Sequence, residues 1–207
     1  DVCSSDLRVE KVIVQKVDEN NQPIPGTEIE FDVDTVLLSV GLIPENELTR
    51  SAGIEMDPAT SGPVVFENME TSAEGIFASG NVVHVHDLVD FVTAESQKAG
   101  KSAAEYVKNG ETKDQTYIDI KNGDGVNGIV PQKVRPSNVD KMVEVMFRAR
   151  NVYKDVQIKV KSDGKELASF KREHMAPGEM EKIVIPKAFL DKVENGEITV
   201  SVEKVGA

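Results

Sequence analysis

Apolar and polar positions follow different rhythms along this chain, and each rhythm predicts a different element. Residues 9–17 alternate imperfectly, and residues 28–34 set Ile29, Phe31 and Val33 against Glu28, Glu30 and Asp32. A polar, Pro- and Gly-rich stretch at 18–26 separates them, so the pair reads as a hairpin. Residues 35–40 form a continuous apolar run, the mark of a strand buried on both faces, which stops at Gly41-Leu42-Ile43-Pro44. Two more strand-like pieces, 52–57 and 62–66, flank the turn cluster that begins at Pro58. Ile76, Phe77 and Ala78 lie between Gly75 and Gly80, predicting a short buried strand whose end lets a ligand approach the backbone. Residues 90–108 read as a helix: Val92, Ala99, Ala103 and Val107 recur at helical spacing, with Glu95, Lys98, Lys101 and Glu105 placed away from that stripe. Asp90 is the expected N-cap, and Asn109-Gly110 is the stop signal.

From Glu111 the rhythm changes. Residues 111–130 are polar, contain Asn122-Gly123-Asp124-Gly125, and read as a linker. Beyond them strands dominate. Val143, Val145 and Phe147 alternate with polar partners, as do Val156, Ile158 and Val160, while Leu167 and Phe170 follow the turn dipeptide Asp163-Gly164. Pro177-Gly178 precedes an apolar run at 180–185, a short amphipathic helix is expected at 187–193, and Ile198, Val200 and Val202 form a last strand. Residues 131–207 therefore predict a small antiparallel β-sandwich.

Charge and composition narrow the partners. The 207 residues carry 24 Lys+Arg against 36 Asp+Glu, a net charge of −12, which argues against a nucleic-acid partner because such binding relies on cations neutralising phosphates. No apolar run approaches the roughly eighteen residues of a membrane span. The single cysteine, Cys3, leaves no internal disulfide and no Cys-x-x-Cys pair, which fits a reducing, cytoplasmic setting. Residues 1–7 resemble neither a natural start nor a signal peptide and are set aside as a scar.

Candidate chemistry gathers at Thr71-Ser72-Ala73-Glu74-Gly75-Ile76-Phe77-Ala78-Ser79-Gly80-Asn81. This stretch resembles the second flavin-binding motif of the pyridine nucleotide-disulphide oxidoreductase superfamily, the two-dinucleotide flavoproteins. In that family the strand ends under the flavin and the residue after its last Gly holds the ribityl chain, a place that Asn81 would take. The family more often carries Asp there; Asn keeps the hydrogen bond and loses the charge. A second resemblance runs through Asp34, Val36, Gly41 and Pro44, a segment that in the family closes the NAD(P)H domain and returns the chain to the FAD domain. Here Glu45 stands where Asn is common, and Asn46 follows one place later. By the same resemblance the helix after the motif points its amino end at the flavin pyrimidine, with Asp90, Phe91, Val92 and Thr93 nearest. Its N–H groups and positive dipole end would stabilise charge on the reduced ring.

The resemblance implies an α/β chain: a partial FAD/NAD(P)-binding, two-dinucleotide-binding fold followed by the antiparallel β-sandwich-like domain. Residues 8–40 would be the tail of the NAD(P)-binding domain, 41–110 the C-terminal half of the FAD-binding domain, 111–130 the linker and 131–207 a β-rich extension. That extension is itself similar to one seen in the superfamily, through its Val130-Pro131-Gln132-Lys133 entry and Pro177-Gly178-Glu179-Met180 turn. No Gly-x-Gly-x-x-Gly follows a predicted strand, so the elements that cradle the FAD and NAD(P)H pyrophosphates are missing and the chain reads as a C-terminal fragment. The expected function is hydride transfer from NAD(P)H to flavin and on to an unidentified acceptor. Its partners would be small-molecule cofactors, with a partner subunit or second copy left open. The alternative is a non-catalytic β-rich docking module fused to an α/β remnant.

His84 and His86 share a face if extended, with only Asp87 following and His174 distant, so no metal site is expected. The resemblance places them in a loop beside the flavin, where they would adjust its surroundings or touch substrate. The Asn122 to Gly125 tract lacks the acidic twelfth ligand of a calcium loop.

Overall fold

The computed structural model describes residues 8–18, 22–39, 41–110 and 115–204. They divide into two compact units, residues 1–41 and 42–207.

The first unit is a ribbon. β1 (Lys11–Val14) pairs antiparallel with β2 (Ile29–Asp32), with Lys11 opposite Asp32 and Val14 opposite Ile29, so the hairpin forms as its alternation predicts. Gly26, at φ +82°, makes the turn that a side chain would resist. The apolar run that follows corrects its prediction: residues 35–39 form no strand, and Leu37 and Leu38 are 92% and 80% exposed. A strand buried on both faces needs hydrogen-bonding neighbours and a layer on each side, and a two-stranded ribbon supplies neither. Val40 lies outside the described residues.

The second unit opens with α1 (Glu47–Ser51), and residues 52–79 then cross themselves by isolated bridges, Met56 with Pro63, Val65 with Thr71 and Glu70 with Phe77. The predicted buried strand at 76–78 is one of these bridges instead. Ile76 is 43% exposed, and Ala78 N–H donates to Met69 O at 3.0 Å. Four residues between glycines at φ +72° turn too soon to join a sheet, and they fold back on the preceding loop. A 3-10 turn, Gly80–Val82, leads into α2 (Val89–Asn109). Leu88, not Asp90 as expected, takes the N-cap position, and its apolar side chain makes no capping hydrogen bond; Asp90 lies inside the first turn because the helix begins at Val89, and the helix ends at Gly110 at φ +77° as its sequence predicts.

The remaining elements are β3 (Ile118–Asn122), β4 (Val126–Val130), β5 (Lys133–Val134), β6 (Met142–Ala149), β7 (Tyr153–Ser162), β8 (Lys165–Met175), β9 (Met180–Pro186), α3 (Lys187–Leu190) and β10 (Glu197–Lys204). They build a five-stranded sheet in the order β5-β3-β10-β7-β8 and a three-stranded sheet in the order β4-β6-β9. Val145 and Phe147 of β6, Ile158 and Val160 of β7, Ile183 and Ile185 of β9 and Ile198 and Val200 of β10 share one apolar core. The chain is thus mixed α/β and mostly strands. β3 and β10 run parallel, a departure from the all-antiparallel expectation. β3 and β4 also occupy the stretch read as linker: Ile118, Ile120, Val126 and Ile129 are core residues, and the Gly-rich tetrapeptide is the turn region between them. Asp163 (φ +50°) and Gly164 (φ +73°) join β7 to β8 in the doubly left-handed turn that matches strand twist.

The loops before α2 dock on these strands through buried charge. Arg135 pairs with Glu67 at 3.2 Å and Glu70 at 2.9 Å, while Asn138 Nδ2 donates to Glu67 at 2.6 Å. A second small core joins Val65, Met69, Val83 and Ala99 to Val130 of β4. Truncating Phe147, fully buried at the centre of the larger core, should lower stability in urea by about 3–5 kcal/mol for Phe147→Ala, from lost transfer energy plus the cavity left behind.

Candidate functional site

The residues that resemble a cofactor motif meet those of α2 around one buried carboxylate. Gly80 sits at φ +72°, and a Cβ there would lie 3.2 Å from Val92 Cγ1, so glycine serves both the backbone conformation and the close approach of α2. The 3-10 turn closes with Val83 N–H on Gly80 O at 2.9 Å. It is held from behind by Asn46, whose buried Nδ2 donates to Val82 O at 2.8 Å and Ser61 O at 3.1 Å, while Thr49 Oγ1 donates to its Oδ1 at 2.8 Å. Gly62 lets Val83 lie against it: a Cβ at that position would fall 1.9 Å from Val83 O.

Glu95, in the second turn of α2, collects three hydrogen bonds from this loop. His84 Nε2 lies 3.0 Å from Oε1, His86 Nε2 3.1 Å from Oε2, and Gly80 N–H donates to Oε2 at 2.5 Å. All three side chains are buried. The two imidazoles meet edge to face, 4.2 Å between ring centres. Burial alone would raise the Glu95 pKa from its ordinary 4.5, but the hydrogen bonds from His84, His86 and Gly80 prevail and hold it down to about 2.

Asn81 is exposed. Its Oδ1 accepts the His86 backbone N–H at 3.1 Å, and its Nδ2 has no acceptor among the described residues, so this side chain presents a donor outward. Its neighbour loop is fixed by Asp87, which takes Arg148 Nη2 of β6 at 2.5 Å on one oxygen and the Met180 N–H of β9 at 2.6 Å on the other. Arg148 also donates to Val85 O at 3.0 Å.

The other sequence-predicted positions scatter. Gly41, at φ +97°, belongs to the first unit, whereas Pro44 lines a cleft of about 250 Å³ with His84 and Arg148. Asp90, expected as the N-cap, is exposed inside the first turn of α2, where its carboxylate meets the positive end of the helix that was expected to favour an electron-rich ligand edge. Phe91 lines a cavity of about 70 Å³ with Glu95, Val130 and Met146, on the side of the β-strands. Thr93 Oγ1 donates to Val89 O at 2.9 Å and is occupied within the helix. Only Gly80, Asn81 and Val92 come together.

Sequence reasoning missed Glu95 and Asn46. For Glu95 the signal was present: it lies three residues after Val92 and four before Ala99, so helical spacing puts it on the stripe from which it was excluded. His84, His86 and Glu95 also offer three ligating atoms within 4.8 Å of one another, closer company for the two histidines than Asp87 in sequence suggests. Yet both Nδ1 atoms are buried without a hydrogen-bond partner. A histidine bound to metal through Nε2 carries its proton on Nδ1 and almost always gives it to an acceptor, so this donor set fits hydrogen bonding better than coordination.

Because Glu95 has a lower pKa in the folded chain than in the unfolded one, its ionised form stabilises the fold. That contribution is complete above about 4.5 and is lost as pH falls toward about 2. Urea titrations should show the wild type losing about 2 kcal/mol between neutral pH and about pH 3 that Glu95→Gln does not lose, the variant starting from lower stability at neutral pH. Parallel pH profiles for the two proteins would contradict a paired, ionised Glu95.

A protein-family model described as pyridine nucleotide-disulphide oxidoreductase matches residues 6–109 of the 207. The match spans the Thr71 to Asn81 motif, both histidines and the whole of α2, where it ends. No solved structure gives a significant match to the chain. On the extent of the family match, this chain belongs to the pyridine nucleotide-disulphide oxidoreductases, a family of redox enzymes.

Proposed function

We propose that the chain is part of an FAD-dependent, NAD(P)H-linked oxidoreductase, in which residues 80–93 form one edge of the flavin site. One observation carries the reading. Within the family-matched stretch, a glycine with a left-handed backbone and α2 close against it hands over to an asparagine whose amide Nδ2 faces outward unpaired, seven residues ahead of a long helix with no side-chain cap. That donor set suits a cofactor rich in hydroxyl and carbonyl oxygens. When bound, the flavin supplies the hydride-accepting chemistry, and the protein supplies placement and electrostatics.

The chain's own contributions follow from its geometry. Asn81 would donate from Nδ2 to a ribityl hydroxyl oxygen, its Oδ1 already committed to His86. The contact foreseen from sequence therefore narrows to a single direction. The first N–H groups of α2 would face an electron-rich ring edge, with the Asp90 charge tempering that attraction. Phe91 packs toward the β-strands and Thr93 bonds its own helix, so neither is given a cofactor contact. The one Gly-x-Gly-x-x-Gly of the sequence, Gly123 to Gly128, leads from β3 into β4 and opens no helix, so the pyrophosphate cradles of FAD and NAD(P)H are assigned to polypeptide other than this. The two sheets of residues 118–204, closed over their own core, form a sandwich-like extension that braces the site through Arg148 and Met180.

Isolated from its own cells with whatever polypeptide it is joined or bound to, the protein should show flavin absorbance that NADH or NADPH bleaches. Colourless, unresponsive protein would overturn the reading in favour of a docking module. In the yellow protein Asn81→Leu should weaken flavin retention by roughly five- to tenfold, the worth of one hydrogen bond, as followed by flavin fluorescence on dilution. Unchanged retention would remove Asn81 from the site.

A further inference from the structure

Among the described residues, Glu95 is the one acidic side chain to which both buried histidines turn, and it joins the loop after the motif to the helix behind it. We infer that Glu95 is the positioning residue of the site: its carboxylate, filled by Gly80 N–H and by the Nε2–H tautomers of His84 and His86, sets the Gly80–Asn81 turn and thereby aims the Asn81 amide. The aiming of Asn81 at a cofactor rests on the flavin reading above; the tautomers and the clamp do not.

The tautomer follows from the donors and acceptors available. A carboxylate can only accept, so each Nε2 facing it must carry hydrogen. In a neutral ring that leaves each Nδ1 a bare lone pair, which suits its buried, unpartnered surroundings better than an N–H without an acceptor would. A cation among the same three side chains would demand the reverse, with Nε2 stripped and two Nδ1–H groups orphaned in the interior.

The route to Asn81 is short. Oε2 of Glu95 fixes the backbone of Gly80 directly, and through the ring of His86 it fixes the residue whose own N–H holds Asn81 Oδ1. Asp87 anchors the far side of the same loop to Arg148 and Met180, so His86 is restrained from both ends. With a glutamine at 95, one side-chain oxygen becomes an NH₂ and confronts an N–H donor. If the NH₂ faces an imidazole, that ring relieves the conflict by moving its proton to Nδ1.

Long-range proton–nitrogen correlation spectra of the full chain near neutral pH test the clamp without any cofactor. His84 and His86 should both appear as Nε2–H tautomers, one of them should change to Nδ1–H in Glu95→Gln, and stoichiometric Zn²⁺ should leave the wild-type imidazole signals in place. Nδ1–H tautomers in the wild type, or signals of both rings shifted together by Zn²⁺, would overturn the clamp in favour of a metal site. In the flavin-loaded protein, Glu95→Gln should weaken retention, and the double variant with Asn81→Leu should be no weaker than Asn81→Leu alone, since both changes act through one contact. Losses that multiply would overturn positioning through Asn81. A protein with no flavin at all would sink the cofactor reading while leaving the imidazole spectra to judge the clamp.

Discussion

An ionised carboxylate withdrawn from water costs several kcal/mol unless its lone pairs are filled, and that requirement governs this structure around Glu95. The three donors come from Gly80, His84 and His86, positions close in sequence but brought to one carboxylate only because a left-handed glycine and a 3-10 turn reverse the chain between them. The helix cannot shift along its axis without stripping the carboxylate, and the loop cannot open without orphaning the same charge. Local geometry is therefore fixed by electrostatic need more than by apolar packing, since the neighbouring core of Val65, Met69, Val83, Ala99 and Val130 is small.

The β-strands extend that logic. Arg148 and the Met180 N–H both end on Asp87, and Arg135 ends on Glu67 and Glu70, so acidic loops are matched by cations and amides projecting from a more rigid body. The large core beneath β6, β7, β9 and β10 supplies the rigidity, and the charged contacts transfer it to the loops. The net charge of −12 is spent unevenly: several of its carboxylates are structural rather than solvating.

How much of this the sequence disclosed depends on where the forces act. Elements stabilised by their own alternation or periodicity were legible: the ribbon of β1 and β2, the helix up to Gly110, the Asp163-Gly164 hairpin and the Val-rich strands that follow. Apolar runs that need outside partners misled, because residues 35–39 and 76–78 have the composition of buried strands without neighbours here to bury them. β3 and β4 hid behind a polar turn that carried most of the local character. Asn81 and Gly80 were visible as motif positions, yet the role of Glu95 was not, since a charge on a helix is ordinarily assigned to water. Its spacing from Val92 and Ala99 was the overriding signal.

β10 sits between β3 and β7, so the middle of the five-stranded sheet is filled by the strand that comes latest in chain order. During synthesis β3 and β7 emerge from the ribosome well before Glu197–Lys204 and must wait with facing edges open. The β6–β9 pairing and the β7–β8 hairpin can close vectorially, but the sheet as a whole cannot. Chaperone dependence, if the nascent chain shows it, belongs to that interval.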